Sequence, residues 1–324
     1  MNSVSANPTL PLLNLHGLRK DISTSELLDA CRRHGCFSII NTGFDDHLMD
    51  DVFAQANRLF SLADDDPIKQ AVNSERNEGG TGWSALYKEP AYTAGTVAHV
   101  ESFDCGPYHS DIVGLPYADS LGLHPSCWPE IPGFRYAVRE CWDRLQVLGQ
   151  SLYSGFARML DLGPGFFSKH CTSRAPSTLR LLHYPLSGEV LDKRVVGISE
   201  HSDFECFTVI HQTAPGLEIR DVNGCWRRAP AEPGRFVVLL GDMLERWTNG
   251  YLTATRHRVP NTPWERHSIV MFFAADADCT VQPLPQFIRG RRPARYPAIT
   301  QHQHIECMVK MAELNREPDA TPTR

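Results

Sequence analysis

From residue 178 onward the chain breaks into short runs rich in β-branched and aromatic residues, each closed by a turn signal: STLRLLHYP, FECFTVIHQ, GLEIRD, RFVVLLGD, YLTATRHRV and RHSIVMFFA. Several short strands at such spacing predict a sandwich or a barrel-like jelly roll. Asn249-Gly250, within RWTNGYL, predicts a type I′ hairpin. Ahead of this block Val138, Cys141, Trp142, Leu145, Leu148, Leu152, Phe156 and Leu160 recur at helical spacing, so a long packing helix is expected over about 133–161. The stretch from about 297 to 315 also reads as helix.

The N-terminal third alternates strand and helix. LPLLNL is a short apolar strand candidate, and Ser23-Thr24-Ser25-Glu26 is a capping box opening a helix that ends near Gly35. CFSIINTG reads as a strand. After Gly43, Asp45 and Asp46 fall in the first turn of a helix whose Leu48, Val52, Phe53, Ala56, Leu59 and Phe60 form one core-facing stripe. Residues 74–130 are rich in Gly, Pro, Ser, Tyr and Asn without periodicity, and predict loops lying over the surface or over a site. The fold class is therefore α+β with a mainly β, jelly-roll-like core and helical flanks.

Composition narrows the partners. The 324 residues are 42% apolar, enough for a sizeable core, and the net charge of −6 comes with scattered Lys and Arg rather than a basic stripe. A nucleic-acid partner is disfavoured and a small-molecule substrate favoured. No stretch has the apolar length of a membrane span, and MNSVSANPTLPLL lacks the pattern of a secretory signal, so a soluble, cytoplasmic protein is expected. The ten cysteines include no Cys-x-x-Cys pair and are read as buried free thiols. The sequence specifies no oligomeric state.

The tripeptide His-Ser-Asp occurs twice, at 109–111 and at 201–203. A histidine and an acid two residues apart can form two corners of a metal site if both leave one face of a strand. Chance alone supplies about 1.6 His-x-acid tripeptides at this composition. The chain has four, beginning at His99, His109, His201 and His304, so most carry nothing. His304 and Glu306 lie in a helical segment, where this spacing turns the side chains about 200° apart. His99 and His109 lie in the irregular region, among Gly95, Gly106, Pro107 and Gly114. Only His201-Ser202-Asp203 runs into a β-rich stretch, which can fix the separation of two ligands.

His257, in TATRHRVPN, is the best third ligand. Two histidines and a carboxylate form a facial triad that leaves positions open on Fe(II), although zinc hydrolases also use mixed His and carboxylate sets. After a turn at Asn261-Thr262-Pro263, the run Arg266-His267-Ser268-Ile269-Val270 places Arg266 and Ser268 on one strand face, as a guanidinium fork beside a hydroxyl suited to a carboxylate.

Together, HSDFECFTVIHQTAPGLEI, GDMLERWTNGYLTATRHRV and RHSIVMFF resemble the isopenicillin N synthase-like branch of the Fe(II)- and 2-oxoglutarate-dependent dioxygenases. The resemblance extends to GCFSIINTGFDDHLMDDVFAQANRLFSL, ESFDCG and LRLLHYP, in the family's order, and so spans nearly the whole chain. It implies a double-stranded β-helix, with an N-terminal region over 1–120, a packing helix and linker over 121–174, the oxygenase core over 175–280 and a helical tail over 281–324. It implies His201, Asp203 and His257 as iron ligands, and Arg266, Ser268 and Tyr184 as holders of 2-oxoglutarate.

The implied reaction spends O2 and 2-oxoglutarate, releases succinate and CO2, and takes ascorbate as a reductant, while hydroxylating, desaturating or cyclising a small metabolite such as a natural product. Related halogenases replace the carboxylate ligand with a small residue, so Asp203 disfavours halogenation. Tyr87, Phe103, His183 and Phe204 are the candidate walls of the substrate pocket. Leu182 and His183 stand where many plant members carry Asn-Tyr, and Arg256 where a proline is common. An iron oxidase of the same fold that does not consume 2-oxoglutarate shares the Arg-x-Ser pair, and a non-catalytic jelly-roll binding protein is the rival from another class.

Overall fold

Local signals organise the N-terminal half of this computed structural model, which describes residues 10–15, 23–114, 123–186, 194–288 and 293–315. After strand β1 (Leu12–Asn14), Ser23 caps helix α1 (Thr24–His34) by accepting from the Glu26 amide, and Gly35 ends it in the left-handed region. Strand β2 (Cys36–Ile40) leads to helix α2 (Asp46–Phe60), whose N-cap is Asp45. Helix α3 (Pro67–Ala71), strands β3 (Gly82–Ser84), β4 (Val97–Ala98) and β5 (Glu101–Cys105) and the single turn α4 (His109–Ile112) precede the long helix α5 (Phe134–Met159) and the short α6 (Phe166–His170).

The C-terminal half is mostly strand. It runs β6 (Thr178–Tyr184), β7 (Val195–Val196), β8 (Ile198–His201), β9 (Phe207–Gln212), β10 (Glu218–Arg220), β11 (Trp226–Arg228) and β12 (Phe236–Leu240). Helix α7 (Asp242–Trp247), strands β13 (His257–Val259), β14 (Arg266–Phe273), β15 (Thr280–Val281) and β16 (Ile299–Thr300) and helix α8 (Gln301–Leu314) complete it.

Two sheets make the expected jelly roll. The larger has the order β1-β2-β12-β9-β14-β6-β5-β3, and the smaller β11-β10-β13-β8. Alternation along the larger sheet separates two cores. Phe207, Val209, Phe236, Val238, Ile269 and Met271 face a cluster shared with α1, α2 and α5. Ile210, Val237, Leu239, Leu182 and Val270 face Ile198, Ile219 and Val259 of the smaller sheet. The functional cavity lies on this second, inter-sheet side.

Three expectations are corrected. Residues 74–130 are not all loop, because β3 and β5 belong to the larger sheet and β5 is buried along its length. The sequence hides this strand because Glu101, Ser102 and Asp104 are buried polar residues, the two acids with their own partners. Asn249-Gly250 does not close a hairpin. Both residues have positive φ, 53° and 74°, as a type I′ turn requires. They stop α7 instead, with the Gly250 amide bonding to Glu245 O, because DMLERW buries Met243, Leu244 and Trp247 as a helix. Most cysteines are buried or half-buried and all are free, but Cys225 and Cys307 are exposed. Among the described residues no helix is long and apolar enough to cross a membrane.

Candidate active site

The smaller sheet brings the two histidines together. His201 ends β8, His257 begins β13, and the antiparallel register sets them directly opposite each other. Asp203 lies just past the strand end, so the tripeptide reaches the site from a strand terminus rather than from within a strand. His201 Nε2 and His257 Nε2 each stand 3.6 Å from Asp203 Oδ1. The other ring nitrogens are used: His201 Nδ1 bonds to Ser199 O at 2.9 Å and His257 Nδ1 to Thr255 O at 3.0 Å. With Nδ1 donating, each Nε2 carries its lone pair inward, the tautomer a metal needs. Thr208 Oγ1 donates to Asp203 Oδ2 and leaves Oδ1 facing the histidines.

Burial pulls the His201 imidazolium well below its usual value, aided by His257, and pushes the Asp203 carboxyl up. Two imidazoles with Nε2 turned inward and one desolvated carboxylate converging on a point fit a divalent cation. The ligand atoms all lie within 4.8 Å of one another.

The triad opens into a cavity of about 530 Å³. On the facing wall is Arg266, 1% exposed, on a central strand and not on an edge. Its Nη2 donates to Gln212 Oε1 at 2.7 Å and to Ser268 Oγ at 2.8 Å. Among the described residues, Nε and Nη1 have no hydrogen-bond partner. No carboxylate among the described residues pairs with this guanidinium, although burial pulls its pKa down. A buried cation with two idle donors is costly unless an anion completes it, and two N–H groups on one fork match a carboxylate. Tyr184 lies under the guanidinium, its ring centre 4.3 Å away, and burial raises its phenol to about 12, so it remains a donor. Gly216 makes room for this arrangement, since a Cβ there would sit 2.7 Å from Arg266 Cδ.

Of the candidate pocket residues, only Phe204 lines the cavity. Phe103 is fully buried on the helix side, edge-on to Phe134 at 4.9 Å. Tyr87 packs beside His99, with ring centres 5.4 Å apart, outside the lining. His183 sits one residue out of phase with Tyr184, so strand alternation sends it to the opposite face. There its Nδ1 meets Glu101 Oε1 at 2.7 Å, its Nε2 meets Glu265 Oε1 at 2.8 Å, and its ring stacks on His267. Leu182, the other departure from Asn-Tyr, lines the cavity without a polar atom.

Arg256 pairs with Glu200 at 3.1 Å, joining the residues that precede the two histidines. At the surface the pair contributes little stability. His109-Ser110-Asp111, expected in a loop, forms one helical turn, and Asp111 lines a different, shallower depression with Tyr108 and Asp143.

Several lining residues escape a sequence reading. Tyr92 stacks on His201 with ring centres 4.3 Å apart. Arg180 crosses the cavity wall to Glu89 and Asp104. Ile305, Val309 and Glu313 of α8 face the cavity at four-residue spacing. Glu205 also lines it, and burial, with Asp203 nearby, raises its carboxyl to about 8. Parity along TLRLLHY and FTVIHQ places Arg180 and Gln212 on the face of Tyr184 and Thr208, the one available signal. Tyr92 and α8 carry no such signal.

The chain is similar to known proteins along most of its length. The 2OG-Fe(II) oxygenase superfamily pattern matches residues 175–275, and that of the non-haem dioxygenase in morphine synthesis N-terminal region matches residues 10–130. The chain is 30% identical over 297 residues to a 2-oxoglutarate-Fe(II) type oxidoreductase of Metarhizium rileyi, covering 86% of this chain and 82% of that one. It is 29% identical over 297 residues to a proline hydroxylase of Petromyces alliaceus, covering 86% and 89%. A solved 2OG-Fe(II) oxygenase family protein of Caulobacter crescentus superposes with a TM-score of 0.80 at 25% identity, covering 96% of this chain and 99% of that one. A full-length Neurospora crassa protein, solved in complex with alpha-KG, has the same fold at a TM-score of 0.79 and 21% identity, covering 96% and 98%.

Proposed function

Because this chain belongs to the 2OG-Fe(II) oxygenase superfamily, we propose that His201, Asp203 and His257 hold its iron and that Arg266, Ser268 and Tyr184 receive the distal carboxylate of 2-oxoglutarate. The enzyme is a non-haem Fe(II)- and 2-oxoglutarate-dependent oxidoreductase. The observation that carries the residue assignment is the pair of idle donors on buried Arg266, in the same cavity as the triad. A fork left unsatisfied by the protein is the complement of a ligand carboxylate, and similarity to a 2-oxoglutarate-Fe(II) type oxidoreductase favours the keto acid as that ligand.

When bound, the iron and cosubstrate supply an oxidant strong enough to remove hydrogen from an unactivated carbon. The protein's part is placement. The Ser199 and Thr255 carbonyls set the histidine tautomers, Thr208 fixes the rotation of Asp203, and Gln212 and Ser268 aim the Arg266 fork. Leu182, Ile210, Leu217, Val259 and Val270 wall this end of the cavity with hydrocarbon and exclude water from it.

The substrate we propose is a small metabolite undergoing hydroxylation, desaturation or ring closure, as in natural-product tailoring. Names among the relatives support this, including proline hydroxylase in Petromyces alliaceus and homoarginine-6-hydroxylase in rice. The ten free thiols suit the reducing cytoplasm. Anaerobic addition of Fe(II) and 2-oxoglutarate tests the cosubstrate assignment. A weak visible charge-transfer band, followed by succinate once O2 is admitted, is the expected result, and absence of both would falsify it.

A further inference from the structure

We infer that the substrate carries a protonated amine, which docks against Glu89 and Asp104 and presents a neighbouring C–H to the iron site. This deepens the oxygenase reading and rests on it.

Away from the cosubstrate end, Arg180 is the only arginine or lysine among the described lining residues, and it is already engaged. Asp104 faces it directly across the β5–β6 register and accepts from both Nε and Nη2 at 2.8 Å. Glu89 Oε1 accepts from Arg180 Nη1 at 2.9 Å. An anionic substrate would have to displace one of these carboxylates, so Arg180 is not free to serve as an anion hook. Two carboxylates share one guanidinium, which leaves one negative charge in excess. Both are buried, Glu89 8% and Asp104 7% exposed. Burial pushes the Asp104 carboxyl up, and nearby Glu89 adds to that rise while Arg180 opposes it, as expected of an acid pair short of positive charge. Glu205 and Glu313 add further carboxyl groups to the lining without another arginine or lysine.

Position supports the same assignment. Glu89 Oε1 also accepts from the Tyr92 hydroxyl at 2.9 Å, while Oε2 accepts no bond among the described residues. The Tyr92 ring lies on His201, 4.3 Å between centres. One aromatic ring therefore separates the free carboxylate oxygen from a residue of the triad. An ammonium bound to Oε2 holds a carbon a few bonds away over the metal position, with Phe204 and Phe272 as the apolar walls.

The test uses three isosteric probes on the full-length enzyme loaded anaerobically with Fe(II) and 2-oxoglutarate: benzylamine, benzyl alcohol and benzoate, with Kd read by calorimetry. Benzylamine is expected to bind about 10-fold or more tighter than benzyl alcohol, and benzoate weakest. Glu89→Gln or Asp104→Asn is expected to remove most of that preference. Equal or tighter binding of benzoate would overturn the inference, as would an amine preference that survives in both variants. The probe ranking in the unaltered enzyme needs neither variant to fold. Affinity for 2-oxoglutarate, measured in the same titration series, tests the oxygenase reading separately, because it depends on Arg266 and not on which probe wins.

Discussion

The neighbouring strands β6 and β14 carry opposite chemistry on their two faces. Inward, Arg266 is buried with two donors idle, beside Ser268 and Tyr184. Outward, one residue out of phase, His183 and His267 stack with ring centres 4.6 Å apart, and His183 is held between Glu101 and Glu265. Both faces bury charge. On the outer face the protein supplies the counter-charge itself, and Lys69 completes the network at 3.0 Å from Glu101. On the inner face it does not. A buried charge that the fold satisfies belongs to stability, and one that it leaves unsatisfied belongs to a ligand.

The comparison predicts that variants on the inner side cost function while those on the outer side cost stability. The largest effect is expected at the triad. Asp203→Ala or His257→Ala should abolish stoichiometric iron, read by metal analysis, and lower succinate formation by roughly 1,000-fold or more. Iron content unchanged in both variants would remove the triad assignment. Next, Arg266→Ala should weaken 2-oxoglutarate by about 2–5 kcal/mol, or roughly 30-fold to several thousandfold in Kd, with iron retained. Arg266→Lys should recover only part of this, since an ammonium cannot make the fork.

On the outer face, His183→Gln should cost about 1–2 kcal/mol of stability and leave 2-oxoglutarate affinity near that of the unaltered enzyme. The two stacked histidines titrate in opposite directions. Burial works against the His183 charge, but the Glu101 and Glu265 carboxylates outweigh it and hold the imidazole above its usual 6.5. Its contribution is complete below about pH 6.5 and fades as pH climbs through the raised value. Burial and then His183 push His267 down to about 4, so its contribution is complete above the usual 6.5 and is lost as pH falls toward about 4. Thermal melts should therefore show the gap between unaltered enzyme and His183→Gln widest near about pH 6 and narrowing toward about pH 9. A gap independent of pH would mean that the ion network contributes nothing. The smallest effect is expected at the other His-Ser-Asp: His109→Ala should leave iron content intact and stability within about 0.5 kcal/mol.

Legibility differed by element for identifiable reasons. Helices α1, α2 and α5 announced themselves because caps and 3.6-residue periodicity are local. Strand β5 was invisible because Glu101, Ser102 and Asp104 are buried without being apolar, and the partners of the two acids lie on β6, on α3 and on β3. Asn249-Gly250 was legible as two left-handed residues but not as a helix end, since hairpins and helix stops share that requirement. His201 and His257 could be picked out as candidates 56 positions apart, but their facing register exists only in the folded smaller sheet. His183 was misplaced as a pocket wall for want of strand parity, which Tyr184 and Arg266 would have supplied.

By itself the sequence determined the jelly-roll class, the long packing helix, and the residue types of a metal triad and a carboxylate fork, because these depend on local period and chemical identity. Tertiary structure decided which face each residue joins, and so that Arg266 lacks a counter-ion while His183 has two carboxylates. It also decided that Tyr92, Arg180 and helix α8 border the cavity. Solvation and charge pairing depend on what lies across the sheet, and a linear sequence does not state that.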